Sequence, residues 1–190
     1  MISDKCIGCG KCKCSAISYK SAQNDMAEAV RLAKKYGADC VELHVSVKKS
    51  PKSVVEYLLK NLECPLSLCL DRKYYSNEKI AKLINKVKKI KGDSRFVIQA
   101  DGVPMSGGND SLNSTLQSVA MAHVVQDFGT YIILSGGTNT KTAKLANECD
   151  LRFNGVGVGS YARKIIKNLP LEEAVKKAKE LVLSVNCNSH

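Results

Sequence analysis

Short apolar runs along this chain alternate with stretches in which apolar residues recur every three or four positions, the two periodicities that separate strand from helix. In AQNDMAEAVRLAKKYG, Met26, Ala29, Val30 and Ala33 share a helical face, and Gly37 stands where a helix-terminating glycine belongs. DCVELHVSV follows as a strand. Ser50 and Pro51 then supply a cap and a first-turn proline for a helix through VVEYLLKNL, and PLSLCLD reads as the next strand. The alternation continues with a helix in SNEKIAKLINKVKKI, a strand in RFVIQADG and a glycine and serine loop, GVPMSGGNDS. A helix from about Asp110 to Asp127, the strand and loop TYIILSGGTN, a helix through TAKLANEC and the strand FNGVGVG come next. The amphipathic helix PLEEAVKKAKELVLSV closes the pattern.

Five short strands, each followed by a helix, predict an α/β fold with a parallel sheet joined by right-handed crossovers. A doubly wound sheet and part of a barrel both satisfy that alternation. The units resemble an incomplete (β/α) TIM-type barrel. With 190 residues the chain fills one core of ordinary size, so the expected organisation is a cysteine-rich motif in residues 1–20 and an α/β domain over residues 21–190.

Charge changes the picture little. The excess of 29 Lys and Arg over 18 Asp and Glu gives a formal charge of +11, which could mark a nucleic-acid partner. The lysines, however, sit on polar helix faces mixed with glutamate, and three Phe with no Trp leave few rings to stack on bases. A solvated basic surface and no nucleic-acid partner are expected. No stretch approaches the roughly 18 apolar residues of a membrane span, so the reading is a soluble, cytoplasmic protein with no membrane span.

The cysteines carry the clearest chemistry. CIGCGKCKC places Cys6, Cys9, Cys12 and Cys14 at the N-terminus, while Cys40, Cys64, Cys69, Cys149 and Cys187 are scattered, mostly in apolar runs. That is no secreted disulfide framework. Three thiols at intervals of three suit a short loop wrapped around one [4Fe-4S] cubane, as in the bacterial ferredoxin run. Cys14 follows Cys12 after one intervening residue where that run has three, and Ser15 replaces its proline, so the fourth ligand is Cys14, a remote cysteine such as Cys149 or Cys187, a second subunit, or none. A four-thiolate zinc site and bare, oxidisable thiols beside Lys5, Lys11 and Lys13 are the alternatives.

Two glycine loops are the second feature. SGGTN and GVGSYAR each leave a strand and enter a helix, a place where backbone amides cradle phosphate. Gly136, Gly137 and Thr138 form one half of the proposed cradle, and Gly159, Ser160 and Arg163 the other, with FMN or another phosphate-bearing ligand as occupant. Tight turns alone would also explain these glycines. Asp101 ends a strand, where barrel enzymes keep catalytic groups, and Asn109 and Asp110 suit a helix cap. No nucleophile and base pair carries a local signature. His44 fits a core position better than a site, and His123 reads as helix packing.

Taken in order, CIGCGKC, VELHVS, IQADGVPMSGG, ILSGGTNTKTAKL and GVGVGSYARKII make the chain resemble the light-dependent period family of cyanobacteria, in a shortened form. The resemblance implies an iron–sulfur motif joined to the family's conserved C-terminal domain, and a role in sensing redox state. Three functions follow: a redox-responsive iron–sulfur protein with a redox or signalling partner, an oxidoreductase subunit passing electrons from the cluster to a ligand on the glycine loops, or a cofactor-free interaction module. Homo-oligomerisation is compatible with each.

Overall fold

The computed structural model describes residues 26–44, 51–71, 76–92, 95–102 and 112–185. The thiols at 6, 9, 12 and 14, the motif in residues 1–20, the cap at Ser50, the loop around Asn109 and Asp110, and Cys187 lie outside these residues.

Each predicted strand is present. They are β1 (Val41–His44), β2 (Leu66–Leu70), β3 (Phe96–Asp101), β4 (Tyr131–Ser135) and the two-residue β5 (Gly155–Val156). Between and around them run α1 (Met26–Lys35), α2 (Pro51–Asn61), α3 (Asn77–Lys91), α4 (Leu112–Val125), α5 (Thr142–Glu148), α6 (Ser160–Ile166) and α7 (Leu171–Val185). The helix expected to reach Asp127 ends as α4 at Val125, and a 3-10 turn, Gln126–Phe128, carries the chain to Gly129. Gly129 adopts φ 65°, a left-handed turn that glycine makes without steric cost.

All strands are parallel, and their spatial order is their chain order, β1-β2-β3-β4-β5. The reversal of order that defines a doubly wound sheet is absent from these five strands. The register explains how the two sheet faces differ. Leu68 pairs with Ile98 and Ile98 with Ile132, while Leu70 pairs with Ala100 and Ala100 with Leu134; all are buried. Against this apolar face pack Val30 of α1, Leu58 and Leu59 of α2, Ile80, Ile84 and Val87 of α3, Val119, Ala122 and Val125 of α4, and Ala146 of α5, in one continuous core. Side chains alternate along a strand, so the intervening residues point away from the helices. They include Glu42, Ser67, Gln99 and Tyr131, and none of the four joins the core.

α3 shows how sequence makes this layer. Ser76 caps it by accepting from Lys79 N, Ile80, Ile84 and Val87 form its buried stripe, and Gly92 ends it at φ 74°. Its lysines do more than solvate a face. Lys86 pairs with Glu56, Lys88 donates to the Phe128 carbonyl, and Lys91 donates to the Leu62 carbonyl, tying α3 to α2 and to the two connections beside it.

Two expectations change. His123 is exposed rather than packed, with Nδ1 at 3.3 Å from Gln126 Nε2; Met121, Ala122 and Val125 take the buried side of α4, and His123 falls beyond its edge. The apolar stripe of α7 buries only Leu181, leaving Leu171, Val175, Val182 and Leu183 exposed, because α7 rests on α5 and α6 at the sheet's last edge.

Candidate functional site

The C-terminal ends of β1, β2 and β3 each present one side chain with ligand chemistry. His44 stands opposite Cys69 in the β1–β2 pairing, Cys69 stands opposite Gln99 in the β2–β3 pairing, and Asp101 follows two residues beyond Gln99 on the same face. An imidazole nitrogen, a thiol sulfur and a carboxylate oxygen thereby lie within 4.8 Å of one another, a set that can hold a metal ion.

Hydrogen bonds tune the group. Cys69 Sγ donates to Asp101 Oδ2 at 3.3 Å. Burial first, and then the neighbouring charge of Asp101, pushes the Cys69 thiol far above its ordinary range, so at neutral pH it is a protonated donor rather than a thiolate nucleophile. His44 turns Nε2 to Glu42, and the same Glu42 carboxylate accepts from Gln99 Nε2. Gln99 Nε2 also lies 2.9 Å from Ser67 Oγ. A chain of polar groups thus runs from Ser67 to His44 and fixes the imidazole.

The end of β3 is held just as firmly. Ser118 Oγ of α4 donates to the Ala100 carbonyl at 2.7 Å, and Gly102 N donates to the Ser135 carbonyl at 3.0 Å. Gly136, at φ 71°, lies so close that an added Cβ would stand 1.6 Å from Asp101 Oδ1. Its lack of a side chain is what leaves room for the carboxylate.

Cysteine accessibility should follow this geometry. Treatment of the native protein with iodoacetamide, read by peptide mass spectrometry, is expected to modify exposed Cys149 readily. Cys40 is also exposed, but desolvation raises its thiol pKa and should slow its reaction. Cys69 is expected to stay unmodified until denaturant is added; alkylation of native Cys69 at the rate of Cys149 would contradict the buried, protonated site.

The glycine loops have a different character. Gly136 and Gly137 adopt φ 71° and 77°, and a Cβ on Gly137 would stand 2.1 Å from Ser114 Cβ, so both glycines serve close packing against β3 and α4. Thr138 is buried and donates to the Gly157 carbonyl, linking the loop after β4 to the loop after β5. Asn139 Oδ1 accepts from Lys141 N at 2.8 Å, and Asn139 Nδ2 reaches Thr115 Oγ1 at 3.1 Å. In the second loop, Gly159 caps α6, Ser160 and Arg163 are exposed, and Arg163 Nη2 lies 3.4 Å from Ser160 Oγ. The fold therefore brings the two loops side by side, with the first committed to internal hydrogen bonds and the second open to solvent.

Residues 32–186 match the family described as light dependent period A C-terminal domain. The chain belongs to that family. No curated protein and no solved structure matches it. In this light dependent period A C-terminal domain no helix among the described residues is long and apolar enough to cross a membrane.

Sequence reasoning singled out Asp101 by its strand-end position and set His44 aside as core; it missed Cys69. The missed signal is positional. Cys69 lies one residue from the end of its strand, as Gln99 lies two before Asp101, and only the register of the domain's parallel strands aligns these positions.

Proposed function

We propose that this protein is an iron–sulfur-binding, redox-responsive protein, in which Cys6, Cys9 and Cys12, with Cys14 or a remote cysteine as fourth ligand, hold a [4Fe-4S] cluster within residues 1–20. The observation that carries the reading is the CIGCGKC spacing immediately upstream of a body of the light dependent period A C-terminal domain family. Oxidation or loss of the cluster would change how the α/β domain, residues 21–190, meets a redox or signalling partner in the cytoplasm. That domain is read as an incomplete (β/α) TIM-type barrel. Support comes from the unbroken order of the described strands and the packing of α1 to α5 against one face of the sheet, since successive parallel strands with crossovers of one hand put every helix on the same side.

Anaerobic purification followed by iron, sulfide and zinc analysis tests this function. The expected result is about four irons and four sulfides per chain with a broad brown absorbance, and loss of iron and colour in the Cys6→Ser, Cys9→Ser, Cys12→Ser triple variant. A colourless wild-type protein that takes up no iron on anaerobic reconstitution would overturn it.

A second reading, an oxidoreductase subunit that binds FMN or another phosphate-bearing ligand, is favoured by the bond from Thr138 to the Gly157 carbonyl, which draws the two glycine loops together. In it Gly136, Gly137, Thr138, Gly159, Ser160 and Arg163 would contact the phosphate. Its signature is a rise in melting temperature on adding FMN that Arg163→Ala abolishes; no rise in the wild type would sink it.

A further inference from the structure

We infer that His44, Cys69 and Asp101 form a zinc-class site in the α/β body, separate from the N-terminal thiols, with three protein ligands and an exchangeable fourth position.

The donor set argues for such an ion. Imidazole, thiolate and carboxylate together are zinc ligands, whereas magnesium and calcium take oxygen alone. Distances agree as well. Donor atoms at about 2.0–2.3 Å from a tetrahedral zinc are separated by roughly 3.3–3.8 Å, and Cys69 Sγ already lies 3.3 Å from Asp101 Oδ2. The full set spans no more than 4.8 Å, so small side-chain rotations close it.

Charge favours occupancy. On binding, the Cys69 thiol releases its proton to solvent and becomes a thiolate ligand, as metal-bound thiols do. The ion's two positive charges then meet the Cys69 thiolate and the Asp101 carboxylate, with Glu42 beyond His44 as a further negative group, so the ion is not left as an uncompensated charge.

The surroundings supply what metal sites need beyond their ligands. Glu42 holds Nε2 of His44, a carboxylate partner of the kind that orients metal-binding imidazoles. Ser135 lies opposite Asp101 in the β3–β4 pairing. It is 9 % exposed, and its Oγ has no hydrogen-bond partner among the described residues. A hydroxyl on the same face and beside the carboxylate is suited to hydrogen-bond a water in the fourth position. The His44 side chain, about a third exposed at 34 %, gives the ion a route in.

The test uses the full chain with Cys6, Cys9, Cys12 and Cys14 replaced by serine, folded by circular dichroism, freed of metal and titrated with zinc against a chromophoric chelator. One zinc per chain is expected. Adding His44→Ala should weaken binding by more than about 100-fold, beyond the roughly 10–100-fold that loss of an outer partner costs. Cobalt in the same protein should show a thiolate charge-transfer band that Cys69→Ser removes, a signature that a merely structural role for Cys69 would not move. No zinc binding by the folded variant, or equal binding with His44→Ala, would overturn the site. Should the four-serine chain fail to fold, zinc is counted in the wild-type chain against His44→Ala alone: a difference of one per chain supports the site, and equal contents overturn it. Iron in the wild-type protein reports on the N-terminal cluster independently.

Discussion

Replacing Gly102 with alanine should lower the stability of this protein by about 3–5 kcal/mol, the sum of overpacking and lost hydrogen bonds. The added Cβ would stand 2.1 Å from the Ser114 carbonyl oxygen, 2.6 Å from the Gly136 carbonyl oxygen and 2.9 Å from Ser118 N. All three are backbone atoms, so no side chain can swing aside. Relief requires α4 to move off the end of β3, which breaks the Ser118 bond to the Ala100 carbonyl and disturbs the Gly102 bond to the Ser135 carbonyl. A native domain is stable by only about 5–15 kcal/mol, so this one methyl group removes a large share. Urea unfolding followed by circular dichroism should show the midpoint falling by about 1 M or more. Gly155→Ala is the control: nothing lies within 4 Å of its added Cβ, and its midpoint should match the wild type. Equal midpoints for Gly102→Ala and wild type would show that α4 does not sit against β3 as described.

Phe96→Ala should cost about 3–5 kcal/mol. Phe96 opens β3, is fully buried on the helix-covered face and pairs in register with Leu66. Its backbone carbonyl accepts from Thr130 Oγ1 at 2.8 Å, which pins the strand start and limits how far the chain can collapse into the space a truncation leaves. The cost of a large-to-small change rises with the cavity that persists. Thermal melting should therefore show a drop of about 10 °C or more, taking a few degrees per kcal/mol for a domain of this size. A drop below about 3 °C would mean that the core around β3 is loosely packed.

The fold was largely legible because its elements announce themselves locally. LSLCL, FVIQAD and YIILS are largely apolar runs and VELH an alternating one, and all became strands. Helix periodicity placed Ile80, Ile84 and Val87 on one buried stripe of α3. Strand order was not legible, because alternation of helix and strand fits both a sequential sheet and one that reverses. The candidate metal group was hidden for a related reason. His44, Cys69 and Asp101 are separated in sequence and meet only through parallel register, a long-range property that no local window contains. Cys69 was further disguised by the leucines on either side of it, which made the whole run look like core. The glycines of SGGTN were conspicuous, but that Gly136 and Gly137 make room for Asp101 and Ser114 was not, because composition does not show which neighbouring side chains approach a glycine.

The strand order carries a last consequence for how the protein is made. Each described strand is bonded to the one that follows it in the chain, up to β5 at the far edge, so the sheet can lengthen at one edge as synthesis proceeds, without waiting for a distant segment to insert. Once β3 has docked on β2, every side chain of the His44, Cys69 and Asp101 group has been delivered, with β4 and β5 still to be added. The ribosome thus releases a donor set before it releases a finished domain, and an ion captured by the nascent chain would help hold the first three strands together while the remaining units arrive.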